Sequence, residues 1–261
     1  MLRSVNNLKG FKIFATDGEI GDVEQFYFDD ERWALRYIVV NTGSWLTRRQ
    51  VLISPFSVVT VDRKNSNLHV DLTKSQVEKS PEIDTQKPVS RRMEAAYSDH
   101  YGYPYYWGSP FLWGTEEYPA PVAQQLTPIA AATATGVDAA PVRITLGDVH
   151  LRSTEEVSSY HIAATDGQIG YVEDFIAEDS SWVIRYLAID TRSWLPGKKV
   201  LVSPQWVSLI DWAQGKVHVN LSREGVKQSP EYKASEMISR EYETQLYQHY
   251  RQPNYWPDLK Q

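Results

Sequence analysis

The sequence predicts an all-β protein built twice: two tandem small β-barrels, each followed by short helices. Three observations carry this. The stretch Ile13 to Phe26, I-F-A-T-D-G-E-I-G-D-V-E-Q-F, returns as Ile162 to Phe175, I-A-A-T-D-G-Q-I-G-Y-V-E-D-F. The offset between copies never changes, so that Trp33 maps onto Trp182, Ser54-Pro55 onto Ser203-Pro204, and Ser80-Pro81-Glu82 onto Ser229-Pro230-Glu231. Within each copy, short runs rich in aromatic and β-branched residues alternate with Gly, Pro and Asn turns, the pattern of a small barrel or sandwich. A period this long marks a duplicated domain, since solenoid units run to about 20–50 residues.

Taken in order, Phe11 to Thr16 is a strand, and Asp17-Gly18 is the two-residue loop a type I′ hairpin prefers. Glu19 to Phe28 returns, with strict alternation broken across Gly21, which predicts a bulge. Asp29 to Arg32 reads as a polar turn. Trp33 to Asn41, W-A-L-R-Y-I-V-V-N, is apolar on both faces and therefore central. Short strands follow over Val51–Ile53, Phe56–Asp62 and Asn67–Leu72, with Pro196-Gly197 marking a turn in the second copy. Thr73 and Gln76 form a capping box for a short helix that ends before Pro81. Its counterpart keeps only half the box, because Gly225 stands at the Gln76 position. Ser90 to Tyr101 and Ser239 to Tyr250 are the second helix of each copy.

These spacings divide the 261 residues into a first repeat, 1–107, a joining segment, 108–150, and a second repeat, 151–261. The joining segment begins aromatic and continues rich in Ala, Pro and Thr, as a flexible linker does. Arg143 to His150 is either an extra strand or a lead-in to the second repeat.

Composition narrows function. There is no cysteine, which removes disulfides and thiolate chemistry and fits a cytoplasmic location. The net charge is −6, and neither repeat has the basic footprint that nucleic-acid binding leaves. No apolar leader opens the chain and no run of about 20 apolar residues crosses it, so membrane contact is expected only through a partner.

The motifs A-T-D-G-E-I-G-D-V at Ala15 to Val23, W-x-x-R-Y at Trp33 to Tyr37, and S-P-E followed by P-V-S-R at Ser80 to Arg91 resemble the PRC-barrel family, named after the photosynthetic reaction centre. The resemblance covers both repeats. It implies a six-stranded β-barrel in each, similar to the cytoplasmic domain of the reaction-centre H subunit and to the C-terminal domain of a ribosome maturation factor. It further implies a protein that holds other proteins rather than a catalyst.

The residues agree with the absence of catalytic, cofactor-binding and metal sites. Asp17, Glu19, Asp22 and Glu24 cluster at the first hairpin, but the second copy replaces two of them with Gln168 and Tyr171, so they read as solvated carboxylates. The duplicated histidines, His69 with His218 and His100 with His249, lack zinc-ligand spacing. Arg36 and Arg185 stand at matching points of an otherwise apolar strand. They either pair with a carboxylate such as Glu24 or Glu173, or receive an anion. The aromatic tail Tyr103 to Trp113 folds back as a clasp or docks a partner. Tyr103, Phe111 and Trp113 have no aromatic equivalent in the second copy and are the partner-binding candidates.

The leading expectation is a non-catalytic adaptor for an unidentified protein partner, either an intramolecular pseudo-dimer or a homo-oligomer. Two alternatives stand beside it. One is a small-ligand module at an inter-barrel cleft lined by Trp33, Trp45, Trp182 or Trp194. The other is a ribosome-associated factor by family analogy.

Overall fold

A computed structural model describes residues 1–83, 89–119, 150–191 and 198–257. The chain forms two compact units. The first comprises Leu8–Thr154 with Ser180–Val183, and the second comprises Met1–Asn7, Glu155–Asp179 and Ile184–Gln261. Units and sequence repeats therefore divide the chain at different places.

Fourteen strands are described. The first unit holds β2 (Lys12–Ala15), β3 (Gly18–Asp29), β4 (Ala34–Asn41), β5 (Gln50–Ile53), β6 (Val58–Asp62), β7 (Asn67–Val70) and β8 (Leu151–Ser153). They pair in the order β5-β4-β3-β2-β7-β6, with β8 added to β3. The second unit holds β1 (Leu2–Ser4), β9 (His161–Ala164), β10 (Gly167–Glu178), β11 (Ile184–Asp190), β12 (Lys199–Val202), β13 (Val207–Asp211) and β14 (Lys216–Val219). Its order is β12-β11-β10-β9-β14-β13, with β1 added to β10. The fold is thus all-β, two small barrel-like sheets of identical strand order. Each follows its strands with short helices: α1 (Lys74–Glu78) and α2 (Arg91–Tyr101), then α4 (Arg223–Gln228) and α5 (Arg240–Tyr250). A further single turn, α3 (Thr154–Val157), follows β8.

The long strands β3 and β10 organise each sheet because they use different partners along their length. β2 pairs with Gly18 to Asp22 and β8 with Tyr27 to Asp29, while β4 runs along residues 22–29. The predicted bulge falls at Ile20, where Ile13 faces Gly21 and Phe14 faces Glu19. Gly21 has φ 143°, and a Cβ there would meet the Asn41 carbonyl oxygen at 2.1 Å, so only glycine fits. Gly170 repeats this against Asp190.

Three expected boundaries move. The first hairpin turns at Thr16-Asp17, because Gly18 already pairs with Ala15, and Asp17 does not take the positive φ that a type I′ turn over Asp17-Gly18 needs. Trp33 precedes its strand instead of opening it. Its φ of 55° closes the β3–β4 turn, its N–H donates to the Asp29 carbonyl (2.7 Å), and its ring stacks on Phe28. Pro55–Ser57 is a 3-10 turn capped by Ser54, so β6 starts only at Val58. The Thr73–Gln76 capping box is present in both directions, whereas Ser222 caps the Gly225 amide alone. Pro196-Gly197, Trp194 and most of the Ala/Pro/Thr-rich segment lie outside the described residues. No helix among the described residues is long and apolar enough to cross a membrane.

Candidate functional site

The aromatic tail meets β4 in the first unit. Arg36 projects from the middle of β4, where its neighbours Leu35, Tyr37 and Ile38 are core residues, and is only 1% exposed. A guanidinium cannot lose its charge, so burial requires partners for it. Asp29, at the end of β3, supplies one: Arg36 Nη2 lies 3.1 Å from Asp29 Oδ2. The other carboxylate oxygen accepts the Glu31 and Arg32 amides, which fixes the turn. Arg36 Nη1 donates to the Leu112 carbonyl at 2.7 Å. The guanidinium lies over the Tyr106 ring at 3.7 Å and the Trp113 ring at 4.8 Å.

Helix α2 supplies the other side. Arg91 and Glu94, one turn apart, form an ion pair at 2.9 Å. The Tyr106 hydroxyl donates to Glu94 and accepts from Arg91 (2.9 Å). Burial pushes the Glu94 carboxyl up to about 7, and Arg91 and the Tyr106 bond offset only part of that. The same burial, with Glu94 alongside, holds the Tyr106 phenol well above its usual range.

The matching residues repeat the network in the second unit. Arg185 pairs with Glu178 at 2.7 Å and lies over Tyr255. Tyr255 and Tyr186 both donate to Glu243, which Arg240 also pairs. Here Arg185 and Glu178 are about a quarter exposed, at 24% and 26%.

The sequence candidates separate clearly. Tyr103 is buried, bonded to the Ser57 hydroxyl and stacked on Phe56 and Tyr101. Trp113 is buried edge-on to Phe56, and its Nε1 donates to the Ser181 carbonyl (2.9 Å). Phe111, between them, is 45% exposed. Its loop is tightly held: Arg32 donates to the Phe111 and Ser109 carbonyls at 2.7 and 2.6 Å, Ser109 Oγ bonds the Gly114 carbonyl, and the Phe111 amide donates to Ser109 Oγ. Tyr105, also exposed, stacks on Trp107 and bonds Asp99.

For the arginines, the pairing carboxylates are Asp29 and Glu178, not Glu24 and Glu173. Glu24 accepts from Gln50, and Glu173 pairs with Lys199, across the opposite end of the sheet. An anion reaching Arg36 would have to displace Asp29. The cavity beside it, between Ser54, Phe56, Ser98 and Tyr103, measures about 10 Å³, the room of one water.

The hairpin carboxylates are engaged locally, Glu19 and Asp22 by Lys12 and Asp17 by the Lys74 amide. His100 and His249 join helix to helix through the Gln76 and Gly225 carbonyls, and His69 stacks on Phe14. Among the described residues no three His, Asp or Glu converge to hold a metal. Trp45 donates to the Ile20 carbonyl beneath Lys74.

Sequence reasoning missed Asp29, Glu94 and Arg91. Their signal was available, because each is matched by Glu178, Glu243 or Arg240 at the common offset, but nothing local shows that they meet.

Residues 2–77 match the family model of the PRC-barrel domain. A search of curated proteins returned no match. Residues 2–77 are therefore a PRC-barrel domain, and the second copy repeats its strand order.

Proposed function

We propose that the protein is a cytoplasmic, non-catalytic adaptor that holds a protein partner at the Phe111 loop. The observation that carries this reading is the contrast within residues 109–114. The backbone is fixed by Arg32, Arg36 and Ser109, and Trp113 anchors it, yet Phe111 is presented to solvent. Rigid display of an aromatic side chain lowers the ordering cost of association and suits an interface anchor. The buried charges nearby serve the same end, since they hold the loop in place.

The test is affinity capture from the native cells with wild type and Phe111→Ala. The expected result is one enriched protein, lost on substitution while the thermal midpoint stays within about 1 °C, as for a surface change. Arg32→Ala, which frees the loop without touching its tip, is expected to weaken capture about tenfold, the scale of 1.4 kcal/mol. Undiminished capture by Phe111→Ala would remove the loop from the interface.

A further inference from the structure

The first strand of each repeat lies in the sheet built mainly by the other repeat. β1 pairs with β10, Leu2 opposite Glu178 and Ser4 opposite Ile176. β8 pairs with β3, Leu151 opposite Asp29 and Ser153 opposite Tyr27. Both arms begin with the same tripeptide, Leu-Arg-Ser.

Each arm is bound by more than its ladder. In the second unit Ser4 Oγ donates to Asp174 (2.5 Å), the Asn6 amide donates to the same carboxylate, and the Asn6 side chain donates to the Glu173 carbonyl. The Val5 amide donates to the Phe175 carbonyl, and Arg3 pairs with Asp179. In the first unit Ser153 bonds Gln25, the Phe26 amide donates to Thr154, and Arg152 pairs with Asp30. Leu151 enters the apolar cluster of Tyr27, Tyr37, Val39, Leu52, Val89 and Tyr97. The side-chain bonds of the arms to their sheets span 122 to 176 positions of sequence. Bonds of that range do not by themselves dictate which chain supplies the arm.

The grooves also discriminate. Asp174 and Gln25 occupy equivalent positions, as do Asn6 and Glu155. The arm at Leu151 placed on β10 would set Glu155 beside Asp174, and like charges at that range repel.

We propose that the edges of β10 and β3 that receive β1 and β8 are strand-acceptor sites, that each half of the chain is the other's binding partner through its Leu-Arg-Ser arm, and that the same arm supplied in trans by a second copy of this chain fills the same groove. Main-chain pairing supplies the affinity, and the carboxylate at Asp174 supplies the choice between arms.

A protease site placed between residues 120 and 149 of the full chain tests this. After cleavage, native mass spectrometry is expected to find the halves as a 1:1 complex at micromolar concentration. Asp174→Ala is expected to weaken that complex tenfold or more. A chain lacking residues 1–7 is expected to gain thermal midpoint with a synthetic peptide of residues 1–7, and to gain none with the same peptide carrying Asn6→Glu. Halves that separate on cleavage overturn the proposal. So does a cleaved Asp174→Ala complex as tight as wild type, because association would then not run through the arms.

Discussion

The first unit buries a charge network that the second unit leaves part-open. Arg36 and Asp29 are essentially excluded from water, whereas Arg185 and Glu178, the same pair at the same strand position, keep about a quarter of their surface. The cause is what packs over them. In the first unit the tail returns, Trp113 rests on Phe56, and Leu112 takes the spare guanidinium donor. In the second unit Gln205, exposed, stands where Phe56 would be, and Trp206, at the Ser57 position, packs its ring on Tyr247 and Tyr250. The lesson is that duplicated residues need not carry duplicated energies: desolvation multiplies both the worth of a pair and the penalty for breaking it.

That comparison can be broken by substitution. The largest effect is expected from Trp113→Ala, about 3–5 kcal/mol lost from the first unit in a denaturant titration, because a fully buried ring is replaced by a cavity. A loss near 1 kcal/mol would mean that the tail covers Arg36 without packing on it. Arg36→Ala should follow at about 3–5 kcal/mol, since Asp29 stays buried without its partner. Arg185→Ala should cost about 1 kcal/mol, because water reaches Glu178. Equal costs would show that burial does not separate the copies.

A pH series sharpens the same point. Burial places Glu94 at about 7 in the folded chain against an ordinary 4.5, so between those values the folded state binds a proton that the unfolded state releases. Stability from this group is therefore fully present below about 4.5 and is lost as pH rises through 7, on the order of 3 kcal/mol. Thermal midpoints at pH 5 and pH 8 should differ less in Glu94→Gln, which imitates the protonated carboxyl, than in wild type. An unchanged difference would assign the pH dependence elsewhere. The smallest effect is expected from Phe111→Ala, within about 0.5 kcal/mol in the same titration, as befits a side chain already in solvent. A larger loss would mean that Phe111 packs on its own unit.

The strands, the bulge beside Gly21, the capping box at Thr73 and the duplication itself were legible in the sequence, because each follows from period-two patterning, from residues a few positions apart or from a constant offset between copies. Trp33 misled as a strand opener because its aromatic side chain argues for β structure while its backbone is needed in the left-handed region to close the turn. Half of the candidate site was also legible: Arg36, Tyr103 and Trp113 stood out by type and place, but not Asp29, whose neighbours made it look like one more turn carboxylate.

By itself the sequence determined what each stretch becomes, since local φ/ψ preference, side-chain alternation and turn chemistry act over a few residues. Only the tertiary structure decided which sheet receives each Leu-Arg-Ser arm, that Arg36 meets Asp29 under Trp113, and that of the three candidates Tyr103, Phe111 and Trp113 only Phe111 faces solvent. Those outcomes join residues brought together by closing long loops. Their energies come from burial and charge pairing that exist only once the sheets have formed.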